Sequence, residues 1–286
     1  VSAQENAHIQ QPLLRFMAHD SSQDCRPVEV IFPGHGRALA IKVQPGQSSA
    51  SALKSMGLAG VAPTMVILGG AAKMSEADLN NLQIMFDQVL APLAQSLDIT
   101  VIDGGTDTGV IRKMGLARLR SRGNFRLIGV APEELAILPG QTSKVADELH
   151  YYLEPNHTHF FLVPGEEWGS ESSFVAELAS SIASHLPSLS LVINGGTVTL
   201  QDLRNHLEQH RQVVVVSGTG RLADLITAIA HTPHDNGHWD IPNISVDESE
   251  VKSIVSEYLP SGKLSFIDLN TSMPQMMRFI RSFFDL

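Results

Sequence analysis

The stretch Ile99-Thr-Val-Ile-Asp-Gly-Gly-Thr-Asp-Thr-Gly-Val-Ile111 carries the groups best suited to holding an anion. A β-branched run ends at Asp103. Gly104 and Gly105 follow, Thr106 and Thr108 flank Asp107, and helical spacing begins at Gly109. This reads as strand, glycine turn and helix N-terminus. Unpaired N–H groups and the positive end of the helix dipole favour phosphate at such a place. One Gly-Gly alone makes only a tight turn. Here the junction recurs at Gly69-Gly70, Gly165, Gly195-Gly196 and Ser217-Gly218-Thr219-Gly220-Arg221. Hydroxyls come from Thr106, Thr108, Thr197, Ser217 and Thr219, and positive charge from Lys73, Arg112 and Arg221.

Several chemistries are disfavoured. No GxxxxGK[ST] is present, which argues against P-loop hydrolysis of ATP or GTP. Gly218-Thr-Gly220-Arg-Leu-Ala223 fits G-x-G-x-x-G/A between a strand and a helix. It follows a late strand of the series, however, and no clean acidic residue is read at the end of a following strand, so a standard dinucleotide dehydrogenase is not expected. No Gly-x-Ser-x-Gly elbow is present. His157 and His159, with Glu154 before them, lack a recognised metal-ligand spacing and are expected to fix the loop entering a strand. Glu166, Glu167 and Glu171 lie near a predicted helix N-terminus, where the dipole stabilises carboxylates. The alternative is that one of them is a general acid/base or accepts a ribose hydroxyl. His231, His234 and His238 read as a solvated loop. No metal site and no cofactor are expected.

The elements that must position these groups alternate. Val28–Phe32 and Ala38–Val43 flank Pro33-Gly-His-Gly36 as a hairpin. Ser49–Met56 is a short helix. Apolar strands are predicted at Thr64–Leu68, Ile99–Ile102, Phe125–Val130, His157–Val163, Leu189–Ile193, Gln212–Val216 and Leu264–Leu269. Between them lie amphipathic helices. One is capped by Ser75 and carries the stripe Leu79, Leu82, Met85, Phe86, Val89 and Leu93, and another is expected to start on Ser170. Residues 134–152 read as a long irregular loop. The pattern predicts an α/β, Rossmann-like, doubly wound and mostly parallel sheet, with helices on both faces and a short N-terminal β extension. In such a sheet the glycine clusters share the carboxyl edge, where ligands bind. The organisation expected is a flexible tail over 1–26 and a single domain over 27–286.

The totals agree with this. The chain has 286 residues, 43% hydrophobic and 17% charged, enough for an ordinary buried core. A net charge of -10 argues against nucleic acid or a basic membrane-surface role. The lone Cys25 excludes an intrachain disulfide. No apolar run is long enough to span a bilayer, and residues 1–26 lack an apolar signal core. The opening Val1 is compatible with a piece of a longer chain.

Taken in series, Val66-Ile-Leu-Gly-Gly-Ala71, Val101-Ile-Asp-Gly-Gly-Thr-Asp-Thr-Gly109, Leu127-Ile-Gly-Val-Ala-Pro-Glu133, Leu153-Glu-Pro-Asn-His-Thr-His-Phe160, Trp168-Gly-Ser-Glu171, Ile193-Asn-Gly-Gly196 and Ser217-Gly-Thr-Gly-Arg-Leu-Ala-Asp224 resemble the SLOG superfamily. The likeness is to its branch joining prokaryotic proteins to the N-terminal cytosolic region of melastatin-type TRP channels, and covers roughly residues 28–270. It implies a Rossmann-like domain that binds nucleotides or nucleotide-derived ligands, ADP-ribose among them, in a cytoplasmic setting. An effector partner or homo-oligomer is implied in prokaryotic members. The LOG phosphoribohydrolases of the superfamily carry a PGGxGTxxE loop. Here that place reads Pro164-Gly-Glu-Glu-Trp-Gly-Ser-Glu171, with the second glycine absent and the spacing stretched.

Three readings follow. The first is a soluble sensor for a phosphate-bearing nucleotide. Its phosphate would lie on Gly104–Thr108 and Gly218–Arg221, and Asp103, Asn156 or Glu171 would read hydroxyls. The second is a nucleotide N-glycosidase using Glu171, and the third is an assembly module with a vestigial cleft.

Overall fold

The computed structural model describes residues 26–70, 74–141, 145–232 and 239–285. The expected tail, Cys25, Lys73, His234 and His238 lie outside them. In chain order the elements are β1 (Val28–Phe32), β2 (Gly36–Lys42), α1 (Ser49–Met56), β3 (Thr64–Gly69), α2 (Glu76–Met85), α3 (Ala91–Ser96), β4 (Thr100–Asp103), α4 (Gly109–Ser121), β5 (Leu127–Pro132), β6 (Ala136–Ile137) and β7 (Tyr151–Tyr152). They continue with β8 (His159–Val163), α5 (Ser172–Ala183), β9 (Ser188–Ile193), α6 (Thr197–Glu208), β10 (Gln212–Ser217), α7 (Arg221–His231), α8 (Glu248–Tyr258), β11 (Leu264–Asp268) and α9 (Met273–Arg281).

Nine strands form one sheet in the order β1-β2-β8-β5-β4-β3-β9-β10-β11. Only the β1–β2 hairpin is antiparallel; the other pairings are parallel. The Rossmann-like α/β architecture follows directly. From β3 the chain winds outward through β4, β5 and β8, then returns to place β9 on the other side of β3. Strand order therefore reverses between β3 and β9, the place where such sheets open a crevice at their carboxyl edge.

Alternation along the central strands explains the two helical layers. Met65 and Ile67 of β3 pack with α2, α3, α4 and α9. Val66 and Leu68 face the other way, toward α1, α5, α6 and α7. The stripe predicted from Leu79 to Leu93 is one continuous helical run, but it passes through a π turn at Phe86–Leu90. Pro92, just beyond, lacks an N–H and crowds the carbonyl four residues back. The wider turn before it relieves that crowding. Ser75 caps α2 as expected, accepting the Asp78 N–H at 3.1 Å.

Three local expectations differ. The strand predicted from His157 starts at His159, because His157 turns into the protein and makes ion pairs there. The helix expected to be capped by Ser170 begins at Ser172. Glu171 stands at the cap, while Ser170 donates to the Glu167 carbonyl at 2.7 Å. The described residues of 134–152 hold more regular structure than a loop: β6 and β7 pair in parallel, and Leu138 and Leu153 pack with Phe160 and Leu162 of β8. Among the described residues no helix lies between β5 and β8, and this excursion packs there instead. No helix of the described residues is long and apolar enough to cross a membrane.

The turn after β4 lies almost on the backbone of β5. A Cβ built on Gly129 would fall on the Cα of Gly105 and at 2.8 Å from the Phe160 ring. Replacing Gly129 by Ala is expected to cost about 1–3 kcal/mol through overpacking. Gly46→Ala, which points into open space at φ +77°, should cost about 1 kcal/mol, the low end for a left-handed backbone with no clash added. Urea unfolding of the two variants checks the ordering.

Candidate functional site

At the switch between β3 and β9 lies a cavity of about 370 Å³, within the range of small-molecule sites. Its floor is the end of β3 (Ile67–Gly69) and the turn Asp103, Gly104, Thr106 and Thr108. Tyr151, Trp168, Glu171 at the cap of α5, Val175 of α5, and Thr199 and Asp202 of α6 complete its lining.

The deepest group is Asp103, only 1% exposed. Its Oδ1 accepts the Gly105 N–H at 2.8 Å and the His157 Nε2–H at 2.9 Å. The other imidazole nitrogen donates to Glu154 Oε2 at 2.8 Å. Burial alone would lower the His157 pKa, but the carboxylates of Asp103 and Glu154 outweigh it and hold the ring up at about 9. Asp103 Oδ2 has no hydrogen-bond partner although it is buried. His157 thus fixes a loop, as expected, and also holds Asp103 in the cavity floor.

Elsewhere in the lining, Glu171 is 8% exposed and accepts the Gly169 N–H through Oε2 at 2.8 Å. Burial raises its pKa, against the lowering effect of that backbone bond. Asp202 is half-buried in the wall and is pushed up to about 7, first by desolvation and further by the nearby Glu171 charge; Ser172 pulls the other way. Tyr151 and Trp168 pack with ring centroids 5.7 Å apart. Their polar tips are held by backbone carbonyls of Glu148 and Leu149, at 3.0 Å and 2.9 Å.

A second hollow of about 260 Å³ lies beyond β9 and β10. Gly218, Thr219, Gly220, Arg221 and Asp224 line it with Asn194 and Asn243. The Arg221 guanidinium lies over Gly196, donating to the Asn243 carbonyl at 3.1 Å and to Asn194 Oδ1 at 3.4 Å. It has no carboxylate partner among the described residues.

Of the residues singled out from sequence, Gly69, Asp103, Gly104, Thr106, Thr108 and Glu171 come together around the cavity. Gly218, Thr219, Gly220 and Arg221 line the second hollow. The others lie behind these walls. Gly70 donates to the Ile193 carbonyl at 3.2 Å. Gly105 abuts Gly129, Gly165 abuts Ser170, and Gly195 abuts Thr199. Gly109 starts α4, and the Ser217 hydroxyl donates to the Ile267 carbonyl at 3.3 Å. The Asn156 backbone N–H and side-chain amide both donate to Glu154, at 2.8 Å and 2.5 Å, and Asn156 is not in the cavity lining. Glu166 and Glu167 are exposed, and Arg112 pairs with Asp107 at 2.6 Å.

The sequence reading missed Tyr151, Thr199, Asp202 and Asp268. Thr199 and Asp202 sit one turn apart near the start of α6, a spacing that puts them on one helix face. Asp268, at the end of the predicted strand Leu264–Leu269, ends β11 beside β10, so an acid does close the strand next to the Gly218 turn. The N–H of Gly218, however, is already taken by Asp224 at 2.7 Å. Similar closure recurs: Asn194 Oδ1 accepts from Gly195 at 2.8 Å and the Thr199 hydroxyl from Gly196 at 3.3 Å. These junctions supply acceptors of their own for several of their N–H groups.

Fold and site together define a doubly wound α/β protein with a cleft at the carboxyl edge of its sheet. The profile of the family described as "SLOG in TRPM, prokaryote" matches residues 62–272, and the chain belongs to that family. It is similar to transient receptor potential cation channel subfamily M member 2 of Rattus norvegicus, at 26% identity over 244 residues, which is 72% of this chain and 16% of that protein. The Mus musculus protein of the same name matches at 28% over 202 residues, 59% of this chain and 13% of its own length. A subfamily M member-like 2 protein of Nematostella vectensis matches at 27% over 238 residues, 68% and 15% respectively. The chain thus spans less than a fifth of each of these relatives.

The raised His157 pKa has a signed consequence. Its proton stays on in the native state above pH 6.5, where the unfolded chain releases it, so this stabilisation is complete below about pH 6.5 and is lost as pH rises through about 9. Wild type should lose up to about 1.4 kcal/mol per pH unit in that window. In His157→Gln this component should vanish and overall stability should be lower. Urea unfolding from pH 6 to 10 reads both.

Proposed function

We propose that this chain is a binding domain that senses a phosphate-bearing nucleotide or nucleotide-derived ligand, of the ADP-ribose or signalling-nucleotide kind, in a cytoplasmic setting. The observation that carries it is the pair of hollows at the carboxyl edge, one at the strand-order reversal and one lined by Arg221 and the Gly218–Gly220 turn. Membership of the family supports a nucleotide-related role. In this reading Arg221 and the Gly218–Gly220 turn hold phosphate in the second hollow. Asp103 and Glu171, both acceptors, take ribose hydroxyls. A ligand-dependent change would pass to an effector partner or to a second copy of the chain.

Calorimetry and thermal shift with AMP, ADP, ADP-ribose, NAD and cyclic nucleotides test this. Binding in the micromolar range is expected for at least one of them. Arg221→Ala should weaken that ligand about 10- to 100-fold, the loss typical of a charge-assisted hydrogen bond. Absence of any micromolar ligand would reject the reading.

A second reading, an N-glycosidase of the LOG type, is favoured by one observation: Glu171 lies buried in the cavity beside Asp202, two carboxyls with raised pKa values. Incubation with AMP, NAD and ADP-ribose should then release free base or ribose phosphate. Glu171→Gln should lower the turnover at least about 100-fold, the scale of a lost acid–base group. Turnover that survives the substitution would remove Glu171 from the chemistry.

A further inference from the structure

The cavity's electrostatics are opposite to those of a phosphate site. Three carboxyl groups, on Asp103, Glu171 and Asp202, face it from β4, α5 and α6, and no Lys, Arg or His lines it among the described residues. Carboxylates only accept hydrogen bonds, so they leave an incoming group to supply donors or positive charge. A phosphate here would meet like charge in a desolvated site, where the Coulomb term is large.

Two further observations point to an occupant. Asp103 Oδ2 is buried in the floor without a partner, a costly arrangement unless a ligand group answers it. Its orientation is fixed because Oδ1 is held by His157 and Gly105. Tyr151 and Trp168 also present ring surface to the same space, their polar tips already bonded elsewhere. Aromatic faces attract cations through the ring quadrupole.

A metal ion does not fit the arrangement. No group of three or more acidic, His or Cys side chains among the described residues converges closely enough to hold one. The negative charge is spread over a cavity of about 370 Å³. That distribution suits a flat cation with delocalised charge and polar donors at its edge.

We infer that the cavity is a base subsite selective for a positively charged nucleoside, of the N-ribosyl pyridinium kind, with its ring against Trp168 and its donors toward Asp103, Glu171 and Asp202. This rests on the nucleotide reading above and deepens it: the charged base enters the cavity, and the phosphates stay outside near Arg221. A cation also relieves the repulsion between Glu171 and Asp202, which a neutral base cannot do.

The test uses the full chain and a phosphate-free pair, nicotinamide riboside and its neutral 1,4-dihydro form, compared by calorimetry at pH 7.5. The cation should bind at least about tenfold more tightly. Glu171→Gln and Asp202→Asn should each weaken the cation several-fold and leave the neutral form unchanged, with thermal unfolding confirming that the variants fold. Should a variant not fold, the same pair on wild type, read also by saturable quenching of Trp168 emission that Trp168→Phe removes, still decides the question. Equal affinity for the two forms, preference for the neutral one, or no binding of the cation up to millimolar concentration would overturn the inference. A chain that binds AMP or ADP-ribose without charge preference loses this inference alone. One that binds the cationic riboside but no phosphate-bearing ligand loses the nucleotide reading and keeps the base subsite.

Discussion

The buried ion cluster of Asp103, His157 and Glu154 holds the site together. Two segments far apart in sequence meet there: the β4–α4 unit, with Asp103 at the end of β4 and Gly115 of α4 leaving room for the Glu154 carboxyl, and the loop entering β8. Two carboxylates around one imidazolium carry a net negative charge away from water, which is tolerable because nearly every oxygen and nitrogen is bonded. The exception is Asp103 Oδ2. The same cluster therefore fixes Asp103 in the cavity lining and leaves one of its buried oxygens without a partner. The loop is tied further by Glu154 donating to the Gly105 carbonyl and Asp107 to the Tyr152 carbonyl, at 2.9 Å and 2.7 Å.

The turns at the carboxyl edge share a second property. Each glycine junction was read as a source of free N–H groups, yet Asp103, Glu171, Asn194, Thr199 and Asp224 each accept from a backbone N–H of their own turn. Self-satisfied turns are rigid before any ligand arrives, and a preorganised cleft loses less freedom on binding. It also leaves fewer backbone N–H groups free at these turns. The two hollows differ in character: one acidic and aromatic, the other holding the guanidinium.

The layered fold was legible because it depends on periodicity. The apolar runs Thr64–Leu68 and Gln212–Val216, the helical stripe from Leu79 and the capping Ser75 are local signals, and each element formed within a few residues of its expected bounds. The two misplaced boundaries have different causes. His157 left its strand for an ion pair with distant Asp103, whereas at the start of α5 local bonds took over: Ser170 donates to the Glu167 carbonyl and Glu171 accepts from the Gly169 N–H. Residues 134–152 hid a pair of two-residue strands, too short to give a period.

The candidate site was legible in half. By itself the sequence determined the α/β class, the glycine turns on one edge and the membership of Gly69, Asp103, Gly104, Thr106, Thr108 and Glu171 in a common region, since chain direction alone puts every strand end on that edge. Tertiary structure decided which turns open onto the cavity and which close on neighbours. Strand order, with β9 beside β3, brings Thr199 and Asp202 into one lining with Asp103. The β6–β7 excursion delivers Tyr151 to the same lining. Those contacts join residues from distant parts of the chain, and no local spacing encodes which distant carboxylates will share one desolvated space, as where the Glu171 charge helps raise the pKa of Asp202.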